Sequence, residues 1–220
     1  MKRRSFLISV CAAALLAGCT PPGGDGVAST EPAPVTASPT TTTVVKLPAG
    51  TWWVDVPGVD AKFAVPTTWR QYSPEKLLGT AEADLPFEVR ELAASMGMSG
   101  AKMLEQFAAQ AKVICIDPVT KANMYLQVHP GATAVDEPSL SSTVKDMGGE
   151  AGKAEQVDTP LGEAMSLPYT LTFGASETAG RIMSVKGPEA VLVVTVSSRE
   201  AAVADSAAKT ILATVSPRDK

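Results

Sequence analysis

The chain has 220 residues, with 19 basic and 23 acidic side chains and a formal net charge of −4. That length suits one domain plus a tail, and an acidic balance excludes the basic footprint that nucleic acid requires. The single histidine, His129, excludes two-histidine zinc sites and leaves little for acid–base catalysis near neutral pH.

The N-terminus carries Lys2, Arg3 and Arg4, then an apolar run from Phe6 to Leu16. This is a charged n-region followed by an h-region too short to span a bilayer as a finished helix. It closes in Leu16, Ala17, Gly18 and Cys19, which resembles the lipobox of bacterial lipoproteins. The resemblance implies a signal peptide over 1–18, cleavage before Cys19, and a diacylglyceryl thioether, with palmitate-type acylation, on that cysteine. The protein is then held on the extracytoplasmic face of the cell membrane, and the membrane is its first partner through Cys19. An ordinary secretory signal with a chance cysteine is the alternative. The segment Lys2 to Leu7 also resembles a twin-arginine export signal, except that Lys2 stands where Ser or Thr is usual, so Sec and twin-arginine export both stay open. Without the signal the chain keeps 16 basic and 23 acidic residues, a net of −7, which disfavours an anionic surface by charge alone. Cys11 leaves with the signal and Cys19 takes the lipid. Cys115 then remains alone, so neither an intrachain disulfide nor a thiolate cluster forms. Lying in the apolar run from Val113 to Ile116, it reads as a buried small hydrophobe.

Residues 19–48 are rich in Pro, Thr, Ala and Gly and poor in large apolar side chains. Such a stretch cannot offset the entropy of ordering and reads as a disordered tether. About 28 residues of this kind reach roughly 30 Å. The run from Thr40 to Thr43 is a polar linker or a sugar acceptor. One domain is expected over 49–217, with 218–220 as a tail.

The ordered chain begins near Thr51. Phe63 and Val65 read as a short strand that turns at Pro66 to Trp69. Ser73 caps a short helix with Pro74 at its first position. A second helix is predicted from about Leu85 to Met96, ended by Gly97, and a third from about Gly100 to Gln110, capped by Ser99. Strands follow over Val113 to Asp117 and Ala122 to His129. In the second, Met124, Leu126 and Val128 alternate with Tyr125 and Gln127. Pro138 and Ser139 begin a helix to about Met147, stopped by Gly148 and Gly149. From Met165, the residues Leu167, Tyr169, Leu171 and Phe173 point one way while Ser166, Thr170 and Thr172 point the other. Strands over Arg181 to Lys186 and Ala190 to Val196 follow, the last apolar enough to be covered on both faces. Ser197 and Glu200 resemble a capping box for a closing helix to about Val215, whose inner face includes Val203, Ala207 and Ile211. Short turns between successive strands make hairpins, so the fold class is α+β, a mainly antiparallel sheet flanked by helices.

The stretch Phe63-Ala-Val-Pro-Thr-Thr-Trp69 resembles the strand–Pro–x–x–Trp opening of PsbP-like domains. The Asp158-Thr-Pro-Leu-Gly162 turn and the order of elements are similar to the actinobacterial lipoproteins of that group, often called LpqN-like. The resemblance covers about Thr51 to Val215. It implies an antiparallel sheet between helical layers and no catalytic role, and it brings no set of functional residues. Trp69 is read as a packing residue.

Candidate chemistry is sparse. Gly97-Met-Ser99-Gly-Ala101 is one residue from a nucleophile elbow, and Ser99, Asp117 and His129 fall in α/β-hydrolase order. An elbow needs a strand before its serine, however, and here a helix precedes it. Ser99-x-x-Lys102 matches a penicillin-recognition motif, but Ser142-x-x-Lys145 and Ser206-x-x-Lys209 match equally, without the companion motifs. Glu88 and Glu91 read as solvated helix charges. Phosphate-loop, EF-hand and basic–aromatic motifs are lacking, and no metal or cofactor is expected. Met96, Met98, Met103, Met124, Met147, Met165 and Met183 suit core filling or, alternatively, an adaptable apolar pocket for a lipid-like ligand. The function expected is a non-catalytic binding or accessory module for an apolar ligand, with two alternatives: a protein-interaction module assisting an envelope complex, and a small hydrolase centred on Ser99.

Overall fold

In the computed structural model the described residues are 45–132, 136–173 and 176–218. The signal, the lipobox residues Leu16, Ala17, Gly18 and Cys19, and most of the tether lie outside them. From Val45 onward the chain forms one compact unit.

The order of elements is β1 (Thr51–Asp55), β2 (Lys62–Pro66), β3 (Arg70–Tyr72), α1 (Pro74–Leu77), a 3-10 turn (Glu82–Asp84), α2 (Phe87–Ser95), α3 (Gly100–Ala108), β4 (Ala111–Ile116), β5 (Asn123–Pro130), α4 (Glu137–Asp146), β6 (Gly149–Ala151), β7 (Glu155–Asp158), β8 (Glu163–Phe173), β9 (Ser176–Lys186), β10 (Ala190–Ser198) and α5 (Ala201–Thr214). β1 and β2 form a separate hairpin. The large sheet runs β3-β4-β5-β10-β9-β8-β6, with β7 also on β8, and every pairing is antiparallel. The fold is therefore α+β, an antiparallel sheet flanked by helices.

Side-chain alternation divides the core between the two faces of the sheet. Leu192, Val194 and Val196 of β10 join Met124, Leu126, Met183 and Val185 beneath α5 and the β1–β2 hairpin, where Trp69 is also buried. On the other face, Leu167, Tyr169, Leu171, Ile182, Val191 and Val193 pack under Leu140 and Val144 of α4. Beside them, Ile114 and Ile116 of β4 pack under Val89, Met103 and Leu104 of α2 and α3. Every residue of β10 is buried, as its apolar run requires.

Several expectations need correction. α2 starts at Phe87, because Leu85 is extended and Pro86 takes the N-cap position. α4 starts earlier than Pro138, because Asp136 caps it by accepting from Ser139 N at 3.0 Å. The capping box at Ser197 does not form. Ser197 lies within β10 with its hydroxyl 2.6 Å from Tyr169 Oη, and the backbone N–H of Glu200 donates to Ser198 Oγ instead. Ser73 holds the N-cap position of α1 without a side-chain hydrogen bond. β9 begins at Ser176 rather than Arg181, and β1, β3, β6 and β7 were not foreseen. The side chain of Phe173 lies outside the described residues.

Candidate binding groove

The edge of the sheet at β8 is split. β6 pairs with residues Tyr169 to Leu171 and β7 with Glu163 to Ser166, and Gly152 N bridges the break by donating to Pro168 O at 2.8 Å. α5 lies against β9 and β10 on the adjoining face. Arg181 of β9 occupies the corner between them. Its Nε donates to Asp205 Oδ1 of α5 at 2.7 Å, and its Nη1 donates to Ser166 Oγ at 3.2 Å and Glu155 Oε2 at 3.5 Å. The side chain is 16% exposed. Its hydrogen bond to Asp205, ahead of the nearby negative charge, holds the guanidinium firmly in its charged form.

An open cavity lies on either side of Arg181. One, of about 240 Å³, lies against Glu150, Tyr169, Thr170 and Ala179. The other, of about 320 Å³, runs between Val157 and Asp158 of β7 and Lys209 and Leu212 of α5. Together they make a groove with a guanidinium at its centre and charges of both signs on its rim. Ligand pockets for small molecules start at about 300 Å³ and are mostly apolar. This groove is likewise lined mainly by apolar surface, to which Arg181, Asp158 and Lys209 add hydrogen-bond and ion-pair partners. Sequence reading missed Arg181 and Asp205. They are 24 residues apart, and no local pattern joins them.

The sequence candidates fall elsewhere. Ser99 caps α3, its Oγ accepting from Lys102 N at 3.3 Å. Both oxygens of Glu82 cover the next two donors, Gly100 N at 3.0 Å and Ala101 N at 2.9 Å. Those hydrogen bonds, Ala101's first, hold the Glu82 carboxyl below its usual range. Asp117 follows β4, its Oδ1 accepting from Val119 N at 2.8 Å. His129 is exposed at the other end of β5, six residues and about 20 Å along the strand from Asn123, which pairs beside Ile116. Ser99, Asp117 and His129 are not brought together. Ser142, Lys145, Ser206 and Lys209 are all exposed, and the three Ser-x-x-Lys matches are one helix cap and two outer helix faces.

Glu88 is a correction. It is not a solvated charge but a buried one, accepting from Arg70 Nη1 at 2.5 Å and from Tyr72 Oη at 3.1 Å. Its own backbone N–H, at the first turn of α2, leads in holding the carboxyl below the usual range against the opposing effect of burial. Tyr72 and Arg70 add to the same effect. Glu91 is exposed and pairs with Lys121 at 3.8 Å. Met103, Met124 and Met183 are fully buried packing residues. Cys115 is buried, and burial pushes its thiol up to about 12. Among the described residues no cluster of three or more His, Cys, Asp or Glu side chains is arranged to hold a metal ion. No helix among them is long and apolar enough to cross a membrane.

No family model and no curated protein matches the chain. Among solved structures it is similar to cyanobacterial PsbP from Synechocystis sp. PCC 6803, at 12% identity over 79% of this chain and 98% of that one, with a TM-score of 0.45. It is similar also to the Ran-binding protein Mog1p of Saccharomyces cerevisiae, at 8% identity over 77% of this chain and 96% of that one, with a TM-score of 0.48. A third similar structure is a protein of unknown function and putative regulator from Pseudomonas aeruginosa, at 11% identity over 78% of this chain and all of that one, with a TM-score of 0.37.

Proposed function

We propose that this protein is an envelope lipoprotein, anchored through Cys19 on the extracytoplasmic face of the cell membrane, whose domain is a non-catalytic binding or accessory module. The lipobox residues Leu16 to Cys19 support the anchor. The observation that carries the binding reading is the groove centred on Arg181, with Glu155 and Asp205 fixing the guanidinium and with Asp158 and Lys209 on the rim. Charges of both signs set around a mainly apolar lining suit a segment of an envelope protein, which carries side chains of both kinds. The tether keeps the module near the membrane and raises its effective concentration toward partners there.

A photoreactive residue in place of the exposed Lys209, in cells carrying the full chain, tests the groove. The expected result is one discrete protein adduct in the membrane fraction, diminished by Asp158→Lys on the opposite rim. An adduct to lipid alone, or adducts unaffected by Asp158→Lys, overturns it. Cys19→Ala tests the anchor, and the domain should then leave the membrane fraction.

A further inference from the structure

The turn between β4 and β5 is a rigid apolar tip. Asp117 Oδ1 accepts from Val119 N at 2.8 Å and Thr120 N at 3.4 Å, and its carbonyl accepts from Lys121 N at 3.0 Å. Lys121 lies in the left-handed region at φ 61°, a conformation that costs a non-glycine residue energy and is kept where the surroundings hold it. This turn leaves Val119 81% exposed. Beside it Phe87, 57% exposed, carries Lys121 Nζ 5.1 Å from its ring centroid. A chain of hydrogen bonds ties the tip to the entry of the domain. Thr67 N donates to Gly50 O at 2.9 Å, and the neighbouring Thr68 Oγ1 donates to Asp117 Oδ2 at 3.3 Å. Lys46 and Leu47, just before Gly50, are exposed. Thus the point where the chain arrives from Cys19 and the exposed apolar side chains share one end of the domain.

We infer that this end seats on the lipid surface, with Val119 and Phe87 entering the headgroup layer and Lys46 and Lys121 near its phosphates. This rests on the lipid-anchor reading. Two features favour lipid as the occupant. The sequence between Cys19 and Val45 is short enough to keep the bilayer beside the entry end. Of the carboxylates near this end, Glu88 is matched by Arg70 and Glu91 by Lys121, and Asp117 accepts from the turn's own backbone donors, which lessens the repulsion an acidic protein meets at a membrane. Apolar insertion supplies the adhesion and the tether supplies the concentration.

The test supplies its own anchor. The mature chain, with a polyhistidine tag in place of Cys19, is docked on vesicles of phosphatidylcholine and phosphatidylglycerol containing a nickel-chelating lipid. An environment-sensitive dye on Val119→Cys should shift to the blue with a several-fold rise in intensity. The same dye on Ser142→Cys of α4 should stay unchanged, and Phe87→Asp should abolish the shift at position 119. A dye at 119 that stays in water while the chain is docked overturns the inference. So does a shift that appears only when membrane proteins are added, which assigns the tip to a protein partner. Failure of the Cys19→Ala fractionation leaves this vesicle result unaffected, so the two readings fail separately.

Discussion

The hydroxyl of Tyr169 reaches over Gly180 to lie 2.6 Å from Ser197 Oγ, the three residues forming one row across β8, β9 and β10. It also donates to Val196 O at 3.2 Å. A Cβ on Gly180 would strike both the Tyr169 ring and the Val196 carbonyl. The backbone carbonyl cannot yield, so Gly180→Ala should cost about 1–3 kcal/mol as overpacking. Tyr169→Phe keeps the ring but removes the donor and should cost about 1–2 kcal/mol. Urea unfolding measures both. Wild-type stability in Gly180→Ala would mean that the close fit is not there.

Glu88 couples stability to pH. Its folded carboxyl is held below the unfolded value, as are those of Glu82 and Asp136. The stabilisation is therefore present above the unfolded carboxylate range, near pH 4.5, and is lost as pH falls through the lower folded values. The melting temperature should fall from pH 5 to pH 3, and Glu88→Gln should flatten part of that slope. Because Arg70 is 62% exposed, Glu88→Gln at pH 7 should cost only about 1–2 kcal/mol, less than breaking a fully buried pair. An unaltered acid profile in this variant would separate Glu88 from the effect.

Ser99→Ala should cost about 0.5 kcal/mol, the low end for a lost cap. Glu82 still covers Gly100 N and Ala101 N in that variant. Removing Glu82 as well should cost more than either change alone, as read from denaturant midpoints. A fall in some hydrolytic activity with unchanged melting would instead restore the enzyme reading.

The Cys115 thiol, pushed up to about 12 and buried within the sheet, should resist iodoacetamide at pH 8 while folded and react once the chain is denatured. Mass spectrometry of a Cys19→Ala chain distinguishes the two. Rapid alkylation of the native form would show that the core opens at β4.

The sequence was legible where periodicity runs long. The alternation along Leu167, Tyr169 and Leu171 and the apolar run of β10 gave strands with the correct buried faces. Gly97 and Ser99 marked a helix end and a helix start, with Gly97 in the left-handed region at φ 73°. The short edge strands β3, β6 and β7 were not legible, because three or four mainly polar residues carry no period and their pairing is decided by β4 and β8. Ser197 misled because a Ser three residues before a Glu satisfies the capping pattern locally, while the residue itself is drawn into β10 by its partner across the sheet. Glu88 and Arg181 failed for a related reason. Their partners, Arg70, Tyr72 and Asp205, come from other elements, and burial of a charge is visible only when those elements meet.

The β1–β2 hairpin is closed by residues far along the chain. Ala64 N donates to Thr214 Oγ1 across 150 positions, Lys62 and Ser216 exchange backbone hydrogen bonds, and the guanidinium of Arg218 donates to the carbonyls of Ala61 and Val56. The first hairpin, although made early, therefore has no finished surroundings until residue 218 has been synthesised. Such distant closure slows folding, because the entropy of a long loop is lost before its contacts form. Until then the hairpin leaves Val54, Phe63 and Val65 without the cover of α5.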